Sequence, residues 1–156
     1  MLFRIEHIDL KQLIGLSITT SFTDDKTFLL WRTFMPRRNE IQNKVNSNLH
    51  SVQVYKDGFN MSLPFTKWAA IEVNTVDEIP DGMEELIIPG GLYAVFIYKG
   101  DQSGAASFFK EIFTKSIPAA GYELDNRPHF EILGDKYKIN DVNSEEEVWI
   151  PVKNRI

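Results

Sequence analysis

Polar and apolar residues interleave from Phe3 to Ser21, with Ile5, Leu13, Ile14, Leu16 and Ile18 set among polar neighbours. This pattern predicts extended structure, a first strand, with Gly15 marking a bend or bulge. After the helix-start residues Thr23-Asp24-Asp25, apolar positions recur at helical spacing from Thr27 to Asn46: Phe28, Trp31, Phe34, Met35, Ile41 and Val45. Pro36 removes a backbone donor inside that stretch. Either the helix kinks there, or Pro36 occupies the first turn of a second helical piece.

Val52 and Val54 flank Gln53 ahead of an Asp57-Gly58 turn signal, so "HSVQV" reads as a strand. "FTKWAAIEVNTV" reads as another. "EELIIPGGLYAVFIYKG" reads as a long third one interrupted at Pro89-Gly90-Gly91, a sharp bend between two strands or a severe bulge. Phe109, Ile112 and Phe113 form one stripe between Ser103 and Ile117, with Lys110 and Lys115 near the other side, which predicts a second helix stopped by Pro118. Two last strands, "HFEIL" and "EVWIPV", are joined by a polar loop.

The order is strand, helix, strands, then strand, helix, strands again. It predicts an α+β arrangement of two similar halves, each with a helix covering antiparallel strands. No linker divides the 156 residues, so a single domain over 1–156 is expected. The balance of 22 acidic to 17 basic residues gives a net charge of −5, which offers no footprint for phosphate backbones and argues against direct nucleic-acid binding. There is no cysteine, hence no disulfide, thiolate nucleophile or cysteine zinc site. Arg4, Glu6, His7, Asp9 and Lys11 interrupt the N-terminus, so neither a signal segment nor a membrane span fits, and a cytoplasmic location is expected. His7, His50 and His129 lack metal-ligand spacing, and Gly90-Gly91 lacks the rest of a phosphate loop. No cofactor is implied.

The chemistry-bearing residues are Glu131 in "HFEIL" and Glu147 in "EVWIPV". Side chains alternate along a strand. If Phe130 and Ile132 face the helices, Glu131 and Leu133 point away. By the same parity Glu147, Trp149 and Pro151 oppose Val148, Ile150 and Val152. Both glutamates are then expected on the helix-free side, Glu147 beside Trp149, where a carboxylate next to a ring face can receive an organic cation. A solvated sheet face is the other reading, and the common one for glutamate. For Tyr93, Trp31, Trp68 and Phe59, core packing explains any single ring.

"IIPGGLYAVFIYKG", "FFKEIF", "AAGYELDNRPHFEI" and "EEVWIPV" together resemble the effector-binding domain of GyrI-like proteins and of certain multidrug-sensing and AraC-type regulators. The resemblance covers nearly the whole chain. It implies two βαββ-like modules in a pseudo-twofold arrangement, helices on one side and a ligand groove on the other. The groove would be aromatic and carry a glutamate that meets a cationic or amphipathic compound. Glu147, Glu131, Trp149, Tyr93, Trp31 and Trp68 are the expected ligand-binding residues. The function implied is a stand-alone small-molecule-binding protein linked to drug sensing or transcription regulation, acting as a receptor rather than an enzyme. Because no helix-turn-helix module precedes residue 1, a direct DNA-binding regulator is not expected. Two alternatives accompany it: a hydrolase opening small reactive rings with a glutamate base, and a protein-binding module of the gyrase-inhibitor type. Leu133 stands where the family's Phe-Glu-x-Tyr run has its tyrosine, which weakens the hydrolase alternative.

Overall fold

The structure, a computed structural model, describes residues 1–156. In chain order the elements are β1 (Arg4–Ile8), β2 (Lys11–Thr20), α1 (Thr27–Phe34), β3 (Leu49–Val54), β4 (Phe65–Glu72), β5 (Glu84–Ile88), β6 (Gly91–Lys99), α2 (Ala105–Glu111), β7 (Tyr122–Leu124), β8 (His129–Leu133) and β9 (Glu145–Asn154). The strands form one antiparallel sheet in the order β1-β6-β9-β8-β3-β4-β2-β5, with β7 paired outside this path to β9. It is the α+β layout expected. The runs β2-α1-β3-β4 and β6-α2-β8-β9 each read strand, helix, strand, strand, with β1, β5 and β7 in addition, and the two parts of the sheet meet where β8 pairs β3.

Several boundaries differ from the sequence reading. The expected first strand is two, broken at Asp9-Leu10. α1 ends at Phe34 and continues as a 3-10 helix over Met35–Glu40 with Pro36 in its first turn, the second of the two options for that proline. Pro89-Gly90 separates two strands. The second helix passes from α2 into a π-helical segment, Ile112–Ser116, and ends one turn later at Ala119, because Pro118 sits in a first-turn position where no backbone donor is required.

Connector lengths force the sheet to curl. β5 and β6 lie six strand spacings apart in the sheet yet are joined by two residues, and so are β1 and β2. A flat sheet would separate them by about 29 Å. A two-residue connection reaches only about 10 Å. The ends therefore come together, and the two connectors meet: a Cβ on Gly90 would lie 2.7 Å from the Ile8 carbonyl oxygen.

Pairing partners across the sheet share a face, so the rows assign each face directly. Leu16, Ala69, Ser51, Glu131, Val148 and Phe96 form one row; Trp68, Val52, Phe130, Trp149, Val95 and Arg4 form a row on the other side. On the first face α1 covers Ile14, Ala69 and Ile71, and the α2 region covers Phe96, Val148 and Ile150. Both helices thus lie on one side. Inside the curl, Leu13 and Ile88 from one end of the sheet pack with Tyr93 and Val95 from the other, around Trp68, Val52, Phe130 and Trp149. No helix is long and apolar enough to cross a membrane.

Candidate functional site

The two glutamates are on opposite faces. Glu147 shares the helix-free side with Trp149, as expected. Glu131 does not: its row partners are Ser51 and Val148, on the helix-bearing side, so the expectation that both carboxylates open away from the helices is corrected. Phe130 and Ile132 pack into the interior of the curl, which leaves Glu131 for the other face.

Glu131 sits on the seam between the halves, between the parts of the sheet that the two helices cover. Around it on the same face are Ser51, Gln53 and Lys67, all buried, with His129 one step back along β8 and Glu146 diagonally across on β9. The residue as a whole is half-buried, but its Oε2 is sealed from solvent and has no hydrogen-bond partner. Burial raises its pKa; Lys67 and the Gln53 amide oppose that rise. Glu146 is pushed up to about 7 by burial and then by the Glu131 charge, again against Lys67. Lys67 acts on both without closing an ion pair with either. Two carboxyls share one ammonium here, and when both are ionised the cluster carries a net negative charge.

Aromatic side chains border this cluster. Tyr55 lies 5.0 Å from Phe65 and 4.9 Å from the His129 ring. Its hydroxyl is pushed well above the usual range by burial and, next, by the Glu131 charge. His129 is pushed down to about 3 by burial, so its ring is neutral. Where the pairing of β8 and β9 stops at Ile132 and Glu147, an open depression of about 400 Å³ is lined by Ile97, Ile132, Lys136, Glu145, Glu146 and Glu147, among others.

Glu147 has partners of its own. It accepts a hydrogen bond from Trp149 Nε1 at 3.0 Å and pairs with Arg4 at 3.6 Å. The rings beside it are also engaged: Lys11 stands over Phe130 at 5.0 Å and over Trp149 at 5.9 Å, and Arg4 over Trp149 at 5.7 Å. Lys11 contacts His50 Nε2 at 3.0 Å and Glu72 at 3.5 Å. Burial lowers its pKa, partly offset by Glu72, and burial beside Lys11 pushes His50 down to about 3. The chain thus supplies its own cations to these rings. Trp149 is 7% exposed, Trp68 9% and Tyr93 0%, so all three are core residues with no open ring face. Trp31, half-buried on α1, packs edge-on against Phe34. The structure brings Glu131 and Glu147 to opposite sides of one strand pair; Trp149 meets Glu147 through its hydrogen bond, but the four aromatics are not gathered into one wall around either carboxylate.

Two of the sequence motifs interlock. Arg127 donates to the carbonyls of Leu92 (2.6 Å) and Val152 (3.2 Å) and to Asp125 (2.9 Å), with its guanidinium 4.7 Å from the Tyr93 ring. Tyr93 donates its hydroxyl hydrogen to the Pro128 carbonyl at 2.8 Å. Gly91, at φ 147°, leaves the guanidinium its space, since a Cβ there would lie 2.7 Å from Arg127 Cζ. The Gly-Gly-x-Tyr-Ala and Arg-Pro-x-Phe-Glu runs together fix where β8 begins, and so where Glu131 sits. Sequence reading missed Glu146, Lys67, Gln53 and Tyr55. A buried lysine and glutamine amid "SVQV" and "FTKWAA" are the signal that could have found them, since such residues are seldom buried without a partner.

Residues 1–153 match the GyrI-like small molecule binding domain. The transcriptional regulator BrlR of Pseudomonas aeruginosa is 29% identical over 143 residues, 89% of this chain and 51% of the regulator, so the chain spans about half the length of that relative. Among solved structures, SAV2435 bound to tetraphenylphosphonium is similar with a TM-score of 0.76 at 16% identity, over 98% of this chain and 94% of that one. EcmrR in a complex with DNA gives 0.73 at 13% identity, over 99% of this chain and 58% of that one. These structural likenesses show the fold. The chain belongs to the GyrI-like small molecule binding domain family.

Proposed function

We propose that this GyrI-like domain is a receptor for small organic cations, taken up between the two helices at the seam of the sheet. Glu131 is the receiving charge, Glu146 assists it, and Glu147 lines the depression at the strand ends. The single observation that carries the reading is the Glu131 carboxylate, with one oxygen sealed from water and unpartnered beside a second carboxyl. A buried acceptor left without a partner costs the fold about 1–3 kcal/mol. A cation brought to it supplies both the missing contact and the missing charge, so binding recovers what folding left unfulfilled. The tetraphenylphosphonium bound to SAV2435 supports the choice of ligand class by analogy only. A cytoplasmic location and a sensing role in regulation accord with this reading.

Calorimetric titration tests it. Tetraphenylphosphonium should bind well, neutral triphenylphosphine oxide much more weakly, and Glu131→Gln should weaken the cation at least about tenfold, which is about 1.4 kcal/mol. Equal affinities for the charged and neutral compounds, or an unchanged variant, would remove Glu131 from the reading.

A further inference from the structure

Phe59 lies in the connection between β3 and β4, and its ring reaches back over the seam. It stacks on His129 with centroids 5.6 Å apart and planes at 18°. It also meets Phe113 at 4.8 Å and Tyr55 at 5.0 Å, the latter edge-on. Phe22 and Phe65 stand behind Tyr55 and Phe59 in the same group. Phe113 belongs to the π-helical segment, where the helix is locally widened, a feature found often at functional sites. The rings converge from β4, β8, the π-helical segment and two connections on a single ring-sized place, next to His129 on the face of β8 that carries Glu131. The only ring in that place belongs to a loop whose own neighbours, Met61 and Leu63, are exposed.

A loop phenylalanine that packs face-on against a neutral buried histidine does for the cage what a flat ligand ring would do. The stacked and edge-on contacts it makes are of the kind any aryl group can reproduce. His129 links the two subsites, because its ring stacks on Phe59 while it shares a face of β8 with Glu131 two residues along. We propose that Phe59 is an internal stand-in for one aromatic ring of the ligand, and that the Tyr55, Phe113 and His129 cage selects cations carrying an aryl group. This inference rests on the cation reading given above. On binding, the loop ring leaves, the ligand's ring takes its place, and the cationic centre comes to rest at Glu131. The apparent affinity of the parent protein is then lowered by the fraction of time Phe59 holds the cage.

Titrations of the full chain with tetraphenylphosphonium and with tetraethylammonium, an aliphatic cation, decide it. Phe59→Ala should bind tetraphenylphosphonium about fivefold or more tighter and faster than the parent, with tetraethylammonium unchanged. Phe59→Trp, which fills the cage more completely, should bind tetraphenylphosphonium more weakly. Weaker or unchanged tetraphenylphosphonium binding by Phe59→Ala makes Phe59 a wall or a bystander and overturns the stand-in role, while leaving the receptor reading in place. An equal gain for both cations overturns the aryl selectivity. No binding of either cation by any of the three proteins overturns the receptor reading and this inference with it.

Discussion

Replacing Glu146 with glutamine isolates the electrostatics of the seam, because it keeps the side chain's shape and deletes one of three facing charges. Glu146 is held at about 7 instead of 4.5, chiefly by burial and next by Glu131, with Lys67 pulling the other way. The folded-state value is the higher one, so the unfolded chain gives up this proton more readily. The group's contribution to stability is therefore complete below pH 4.5, is lost progressively as pH rises toward about 7, and changes little above that. The full gap is equivalent to roughly 3 kcal/mol. Solvent reaching a carboxyl that is only partly buried reduces this to about 1–2 kcal/mol.

For a chain of this length, that difference is about 2–8 °C in Tm. Denaturant or thermal melts of parent and variant at about pH 4 and about pH 8 measure it, and other acid effects cancel in the comparison. Glu146→Gln should match the parent at the lower pH and exceed it at the higher. A variant that is less stable at the higher pH, or whose difference from the parent does not change with pH, refutes the picture of two carboxyls competing for one ammonium.

Gly91→Ala should destabilise the fold by on the order of 2–4 kcal/mol, because a positive-φ position acquires a side chain and the Arg127 guanidinium must leave its carbonyl partners; an unchanged denaturation midpoint would show that Arg127 yields freely. His129 is held at about 3 against an ordinary 6.5, a lowered value, so its contribution is present above pH 6.5 and lost as pH falls toward about 3. His129→Gln should therefore flatten the loss of stability across that window, and a parallel pH profile for the two proteins would count against a neutral buried imidazole.

The halves of the fold were legible because Gly, Pro and period carry direct backbone meaning. Pro89-Gly90-Gly91 marks a true break, and the valine run of β9 identifies the helix side correctly. What failed was the facing of β8, for a physical reason. Alternation reveals a strand's core side only when the other side meets water. "HFEIL" does alternate, with His129 and Glu131 opposite Phe130 and Ile132, but both faces of this sheet bury apolar side chains, one under the helices and one inside the curl, so alternation alone does not say which of the two the apolar stripe enters. The curl itself depends on two-residue connectors between strands at opposite ends of the sheet. That is a fact about strand order, which no local pattern contains. The same curl makes Trp149, Trp68 and Tyr93 core residues, although their ring types suggested a ligand wall. β7 escaped notice because three residues give no period to read.

The seam shows why an internal pair of helices leaves room for chemistry at all. Each helix buries its stripe on its own half of the sheet, and neither reaches the strip where β8 meets β3. Apolar side chains in that strip would gain nothing from a helix and would draw the two halves into a closer, closed packing. Polar ones keep it open, but only if each finds a partner. Ser51, Gln53, Lys67, Glu131 and Glu146 fill the strip, and in it one oxygen of Glu131 lacks a partner and two carboxyls face one lysine. A core built for stability alone would replace Glu131 with glutamine or leucine at no cost to the helices. Retaining a charge in the least protected part of the sheet, with an aromatic cage beside it, sets local stability against use. That opposition gives the two Glu→Gln variants a common signature: neither should weaken the fold at neutral pH, while Glu131→Gln should lose the cation.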